Sequence, residues 1–176
     1  MTPTYNDQEI DNLPEDAKAA VSICKYPPQG CRSMTGQLPQ FGLQGIPVQE
    51  TIRQANQSAS TVFAMIESHD AVERAGEIAA VEGVDVILVG SLDLSIELGI
   101  PGQFNSEEYR TALETVSKAC RTHGKIFGLA GIYDDPVIQD WAINELGVRF
   151  MLVQQDTSLI SGGGKRAADA VPLVRT

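Results

Sequence analysis

Between Thr61 and Ser95 the residues follow a strand, helix, strand order, and that order fixes the kind of sheet the chain can build. Thr61-Val62-Phe63-Ala64-Met65-Ile66-Glu67 and Val84-Asp85-Val86-Ile87-Leu88-Val89-Gly90-Ser91-Leu92-Asp93-Leu94-Ser95 are short apolar runs rich in β-branched residues, the mark of strands buried on both faces. The span from Ala71 to Val81 repeats apolar residues at helical spacing and stops at Gly83. A crossover of this length joins two parallel strands in the right-handed sense. Each run carries a carboxylate at its end, Glu67 in the first and Asp93 in the second, so both are expected at the C-terminal edge of one parallel sheet. That is the edge where α/β folds place their chemistry.

Two carboxylates at neighbouring strand ends repel each other unless something positive lies between them. A hard divalent cation such as Mg²⁺ binds one or two carboxylates and leaves positions for substrate oxygens. The alternative is structural: Glu67 caps the following helix and Asp93 binds backbone amides in a turn. Spacing alone leaves both open.

The remaining segments extend the same pattern. A helix is expected from Asn6 or Asp7 to Cys24, with Pro14 opening a better turn, and Tyr26-Pro27-Pro28-Gln29-Gly30 ends it. Gly30 to Gly45 is loop-like, and a helix from Pro47 to Gln57 precedes the first strand. Ser106 caps a long amphipathic helix through Thr122. Ile126–Tyr133 is a third buried strand, Pro136 to Leu146 a helix begun at Asp134 or Asp135, and Arg149–Val153 a fourth strand. A last helix covers Ser158 to Val171, weakened by Gly162-Gly163-Gly164. The order is one helix and then four βα units, an α/β chain in one domain over residues 1–176. Tyr133 and Gln155 end the third and fourth strands and are candidates to line a pocket there.

Composition removes several function classes. A net charge of −10 argues against nucleic acid and against an anionic membrane surface. No apolar run approaches the ~20 residues a membrane span needs. Three cysteines, Cys24, Cys31 and Cys120, lack zinc or disulfide spacing and fit a reduced, cytoplasmic setting. Ser161-Gly162-Gly163-Gly164-Lys165 lacks the full phosphate-loop pattern. His69 is placed beside Glu67 in sequence, within reach of a metal water or on an exposed helix turn. Arg32 faces either a substrate carboxylate or a loop partner.

At Tyr26-Pro27-Pro28-Gln29-Gly30-Cys31-Arg32, Ile66-Glu67, Val81-Glu82-Gly83-Val84-Asp85 and Gly90-Ser91-Leu92-Asp93-Leu94-Ser95 the chain resembles the HpcH/HpaI aldolase family, the metal-dependent pyruvate aldolases. Gly124-Lys125, Leu146-Gly147-Val148-Arg149-Phe150 and Asp156-Thr157 match as well. The resemblance implies a (β/α)8 barrel of the phosphoenolpyruvate/pyruvate type, of which this chain covers the last four βα units. It implies that Glu67 and Asp93 bind the metal (Mg²⁺, Mn²⁺ or Co²⁺) and that Ser91, Leu92 and Asp93 bind substrate, the amides of Leu92 and Asp93 holding a pyruvate carboxylate. It assigns no acid/base residue within this chain, since the family's histidine and arginine come from strands absent here. The implied activity is carbon–carbon lysis or formation between a 2-oxo acid such as pyruvate or oxaloacetate and an aldehyde. The alternatives are a non-catalytic homologue acting by association and a macrophomate synthase-like decarboxylating enzyme. A half barrel exposes two sheet edges, so a homo-oligomer is expected. Met65 and Ser91-Leu92 stand where relatives carry glutamine and proline-alanine.

Overall fold

The computed structural model of the chain describes residues 13–34 and 39–172. Helix α1 (Pro14–Cys24) starts at its proline, which needs no N–H partner there and holds a helical φ. The expected caps Asn6 and Asp7 lie outside the described residues. After a 3₁₀ turn at Pro39–Phe41 comes α2 (Val48–Gln54), which widens into a π turn at Ala55–Ala59.

Then follow β1 (Phe63–Ile66), α3 (His69–Glu73), α4 (Ala75–Ala79), β2 (Val86–Gly90), α5 (Ser91–Glu97), α6 (Glu107–His123), β3 (Ile126–Ala130), α7 (Pro136–Trp141, continued by a π turn to Leu146), β4 (Val148–Met151) and α8 (Asp156–Asp169). The four strands pair in chain order, all parallel, with Ile66 opposite Val89 and Gly90 opposite Ala130.

Several boundaries differ from the sequence expectation. The second apolar run leaves the sheet at Gly90. Ser91, Leu94 and Ser95 are buried at helical spacing while Leu92, Asp93 and Ile96 are exposed, so 3.6-residue periodicity wins over alternation. Asp93 therefore sits in the first turn of α5, not at a strand end. The single helix expected over Ala71–Val81 breaks at Arg74 into α3 and α4. The third strand stops at Ala130. Helix α8 runs unbroken through its three glycines, with Lys165 paired to Asp169 at 2.9 Å, and it buries no residue.

One face of the sheet packs on the helices. Ile66, Ile87, Val89, Phe127 and Leu129 join Leu113 and Val116 of α6 and Ile78 of α4 in the main core. The other face carries Phe63, Met65, Val86, Leu88 and Phe150. The rings of Phe63 and Phe150, from the two outer strands, lie 5.0 Å apart edge to face. Three strand steps on a flat sheet span about 14 Å, so the sheet is rolled, with these side chains on its concave side. This is the curvature of a barrel wall. The β-carbon that a side chain at Gly128 would add lies 2.9 Å from Leu88 and 3.3 Å from Phe150, so its lack of one makes room inside the curve.

The Tyr26-Pro27-Pro28 turn is fixed at the N-terminal end of the strands, away from Glu67. Lys25 is buried, and its Nζ donates to Asp85 Oδ2 (3.1 Å), to the Asn56 carbonyl (3.2 Å) and to the Ser60 carbonyl. Asp85 Oδ2 also accepts from the Val62 amide at 2.8 Å, tying the starts of β1 and β2 together. Arg32 donates to Ser60 Oγ at 3.0 Å and lies 5.0 Å over the Tyr26 ring. Arg32 thus clamps the loop, at the end of the strands away from Glu67.

Candidate active site

At the opposite end, β1 and β2 place the carboxylates. Ile66 pairs with Val89, so Glu67 comes level with Gly90 on the next strand. The Glu67 side chain lies across the glycine: a β-carbon at Gly90 would stand 2.8 Å from Glu67 Cγ and 3.0 Å from its Cδ. Ser68, not Glu67, caps α3, its Oγ accepting from the Ala71 amide at 3.2 Å. Among the described residues neither the Glu67 nor the Asp93 carboxylate makes a hydrogen bond or an ion pair. That removes both structural roles left open by the sequence.

Burial first, and then the negative charge of Asp93, push the Glu67 carboxyl above its usual value of 4.5. A half-buried carboxylate without a hydrogen-bond donor, beside a second one, is the donor set a hard cation takes up. The site residues named from sequence converge only in part. Ser91 is wholly buried at the start of α5, Leu92 is 52% exposed, and Asp93 is exposed at the mouth. The backbone amides of Ser91 and Leu92 lie against Gly131, the residue that follows β3 by one position.

Beneath this rim the hydroxyls of Ser91 and Tyr109 are buried, and neither makes a well-formed hydrogen bond. Ser91 lies close enough to draw the phenol's pKa down, but burial dominates and holds it well above the usual range. Tyr109 was not singled out from sequence. Its signal was its place among the buried positions of α6, which says nothing about a site. Gly90 was also missed as a functional residue, although a glycine ending a β-branched run beside a strand-end acid is a readable cue for close approach.

His69 does not join the pair. It is exposed, 3.9 Å from Glu73, and lines an outer groove of about 640 Å³ between α3 and α6 with Val72 and Glu97. His69, Asp70 and Glu73 can bring ligand atoms within 4.8 Å of one another, but all three are exposed. Cys120 offers no nucleophile, since burial pushes its thiol up to about 12.

Replacing Gly90 by alanine tests the cradle. Its φ of −85° suits any residue, so the fold tolerates the change with a stability effect under about 1 kcal/mol. The Glu67 carboxylate, however, must swing off the strand. Calorimetric titration with Mn²⁺ is expected to show affinity reduced about tenfold or more, while the melting curve hardly moves.

No helix among the described residues is long and apolar enough to cross a membrane. A sequence model of the HpcH/HpaI aldolase/citrate lyase family matches residues 11–136. The chain is 49% identical over 160 residues to a 4-hydroxy-4-methyl-2-oxoglutarate aldolase of Hapsidospora irregularis, covering 91% of this chain and 59% of that protein. It is 51% identical to one of Chaetomium globosum, covering 89% and 58%. The crystal structure of an HpcH/HpaI aldolase from Desulfitobacterium hafniense DCB-2 superposes with a TM-score of 0.80 at 27% identity, over 94% of this chain and 63% of that one. The chain thus spans about three fifths of the length of these relatives. The rolled parallel sheet, the motifs along it and these likenesses agree: the chain belongs to the HpcH/HpaI aldolase/citrate lyase family.

Proposed function

We propose that the chain carries the metal and 2-oxo acid half of a pyruvate-type aldolase site, in one domain that forms the second half of a barrel. The observation that carries this reading is the Glu67 carboxyl laid over Gly90 beside Asp93, with neither acid engaged by the protein. Glu67 and Asp93 hold a divalent cation, Mg²⁺, Mn²⁺ or Co²⁺. When bound, that ion supplies Lewis acidity toward the negative charge that develops on the oxo-acid oxygens. The amides of Leu92 and Asp93, with Ser91 behind them, orient the carboxylate of the 2-oxo acid.

The names of the two fungal relatives make 4-hydroxy-4-methyl-2-oxoglutarate the substrate of first choice. An aldehyde replaces the second oxo acid in the broader lyase reading. The acid/base step falls to water or to a group from another chain. The setting is cytoplasmic.

Among the described residues no further strand pairs with the β1 and β4 edges, and this, with the exposed Phe63 and Met65 on the concave face, favours self-association. The same feature favours a second reading, a non-catalytic homologue that docks on a full-length relative.

Titration of Mn²⁺ with and without oxalate, an enolpyruvate mimic, separates the readings. Oxalate-dependent binding that disappears in Asp93→Asn is the expected result. A folded chain that binds no Mn²⁺ overturns the aldolase reading in favour of the docking one.

A further inference from the structure

The segments leaving β3 and β4 bring a second polar group to the edge that carries Glu67 and Asp93. Gly90 pairs with Ala130, and Leu129 with Met151, so the strand exits are level. The chain turns at Gly131, with φ +92°, against the amide of Leu92. Tyr133 follows two residues on, a span of at most about 7 Å. Its main chain is pinned from α7, where Gln139 Nε2 donates to the carbonyls of Ile132 (2.9 Å) and Tyr133 (3.3 Å). Its hydroxyl oxygen accepts a 3.0 Å bond from Nε2 of Gln155, which leaves β4. A phenol has a single proton to give, and here its oxygen is already taken as an acceptor by the amide. The proton is left for another partner, water in the free chain or a ligand, and polarisation by the amide strengthens it as a donor.

We propose that Tyr133, oriented by Gln155, binds the carboxylate of the acceptor half of the substrate and so selects a 2-oxo acid over an aldehyde. This rests on the aldolase reading above. When 4-hydroxy-4-methyl-2-oxoglutarate is cleaved, its C3–C4 bond breaks. The electron pair passes to the C1–C3 fragment as pyruvate enolate, and C4 becomes the ketone of a second pyruvate. The C4 hydroxyl gives its proton to the water or other-chain group that serves as base and that later returns a proton to C3. That second fragment keeps the C5 carboxylate throughout. With the first fragment held over β1 and β2 by Glu67 and Asp93, the second extends over β3 and β4, where Tyr133 stands. An aldehyde has no such carboxylate, and the hydroxyl gains nothing from it.

The test compares cleavage of 4-hydroxy-4-methyl-2-oxoglutarate with that of 4-hydroxy-2-oxopentanoate, whose second fragment is acetaldehyde. In Tyr133→Phe the ratio of the two kcat/KM values is expected to fall about tenfold or more, chiefly through KM for the dicarboxylate. Gln155→Leu lowers it less, in the same direction. Oxalate-dependent Mn²⁺ binding, which samples the first fragment's site alone, stays at the wild-type value in both.

A readout without turnover uses chain labelled with 3-fluorotyrosine and loaded with Mg²⁺ and oxalate. The fluorine resonance missing from Tyr133→Phe shifts on adding pyruvate and not on adding acetaldehyde. An unchanged ratio, or a Tyr133 resonance indifferent to pyruvate, overturns the assignment of Tyr133. Absence of oxalate-dependent Mn²⁺ binding in the wild type overturns the aldolase reading itself.

Discussion

Glu67→Gln is expected to remove oxalate-dependent Mn²⁺ binding, with a loss of about 3 kcal/mol, roughly hundredfold in Kd. The amide keeps the shape that fits over Gly90 but gives up the charge, which leaves Asp93 as the lone carboxylate of the pair. Oxaloacetate decarboxylation by the chain should fall with it, since that reaction needs only the bound oxo acid and the ion. The same substitution has the opposite sign on metal-free stability. Burial and then Asp93 raise the Glu67 pKa above its ordinary 4.5, so the folded chain pays for ionising this group.

The stability that Glu67 contributes through protonation is fully present below about 4.5, its unfolded value, and is lost as pH rises through the raised folded value. Urea denaturation in EDTA should therefore show Glu67→Gln slightly more stable than wild type at neutral pH, and level with it in acid. The gain is a few tenths of a kcal/mol, because the side chain is only half-buried and solvent screens it. Equal Mn²⁺ affinity in the variant and the wild type sinks the metal assignment.

The second large effect lies at the other end of the sheet. Lys25→Met should destabilise the chain by about 3 kcal/mol, at the lower end for a broken buried pair. Lys25 is 3% exposed and uses its three N–H bonds on Asp85 and the carbonyls of Asn56 and Ser60. The methionine fills the volume but takes the ammonium away from all three acceptors, leaving Asp85 only its bond from the Val62 amide. Asp85 is 39% exposed, so water relieves part of the unpaired charge, which keeps the loss from being larger. Adding Asp85→Asn should recover a portion, since the amide oxygen can still accept from Val62. Urea titration of the single and double variants measures the coupling. A loss under 1 kcal/mol for Lys25→Met would mean that the turn is held by Tyr26 and Arg32 alone.

Much of the architecture was legible in the sequence because each signal was local. Val86-Ile87-Leu88-Val89 reads as a strand buried on both faces, and Ser106 as the cap of α6, as observed. Glu67 was readable for the same reason, as an acid one step past a strand. Asp93 was named as its partner on the wrong element. The apolar run continues without a break past Gly90, and only packing of Leu94 and Ser95 against the core turns it into a helix. Lys25 passed unnoticed because nothing local distinguishes a buried lysine from a solvated one. Its three acceptors come from 31 to 60 residues away.

The sequence by itself determined the parallel βα order, the acid at the end of β1 and the family resemblance, since periodicity, caps and motif spacing act within a few residues. Only the tertiary structure decided that Glu67 rests on Gly90 beside Asp93, that Tyr133 meets Gln155, and that the Tyr26-Pro27-Pro28 motif works at the far end of the strands. Those are distances between separate elements. They are set by parallel register and by the roll that brings Phe63 to Phe150, which no local window of sequence contains.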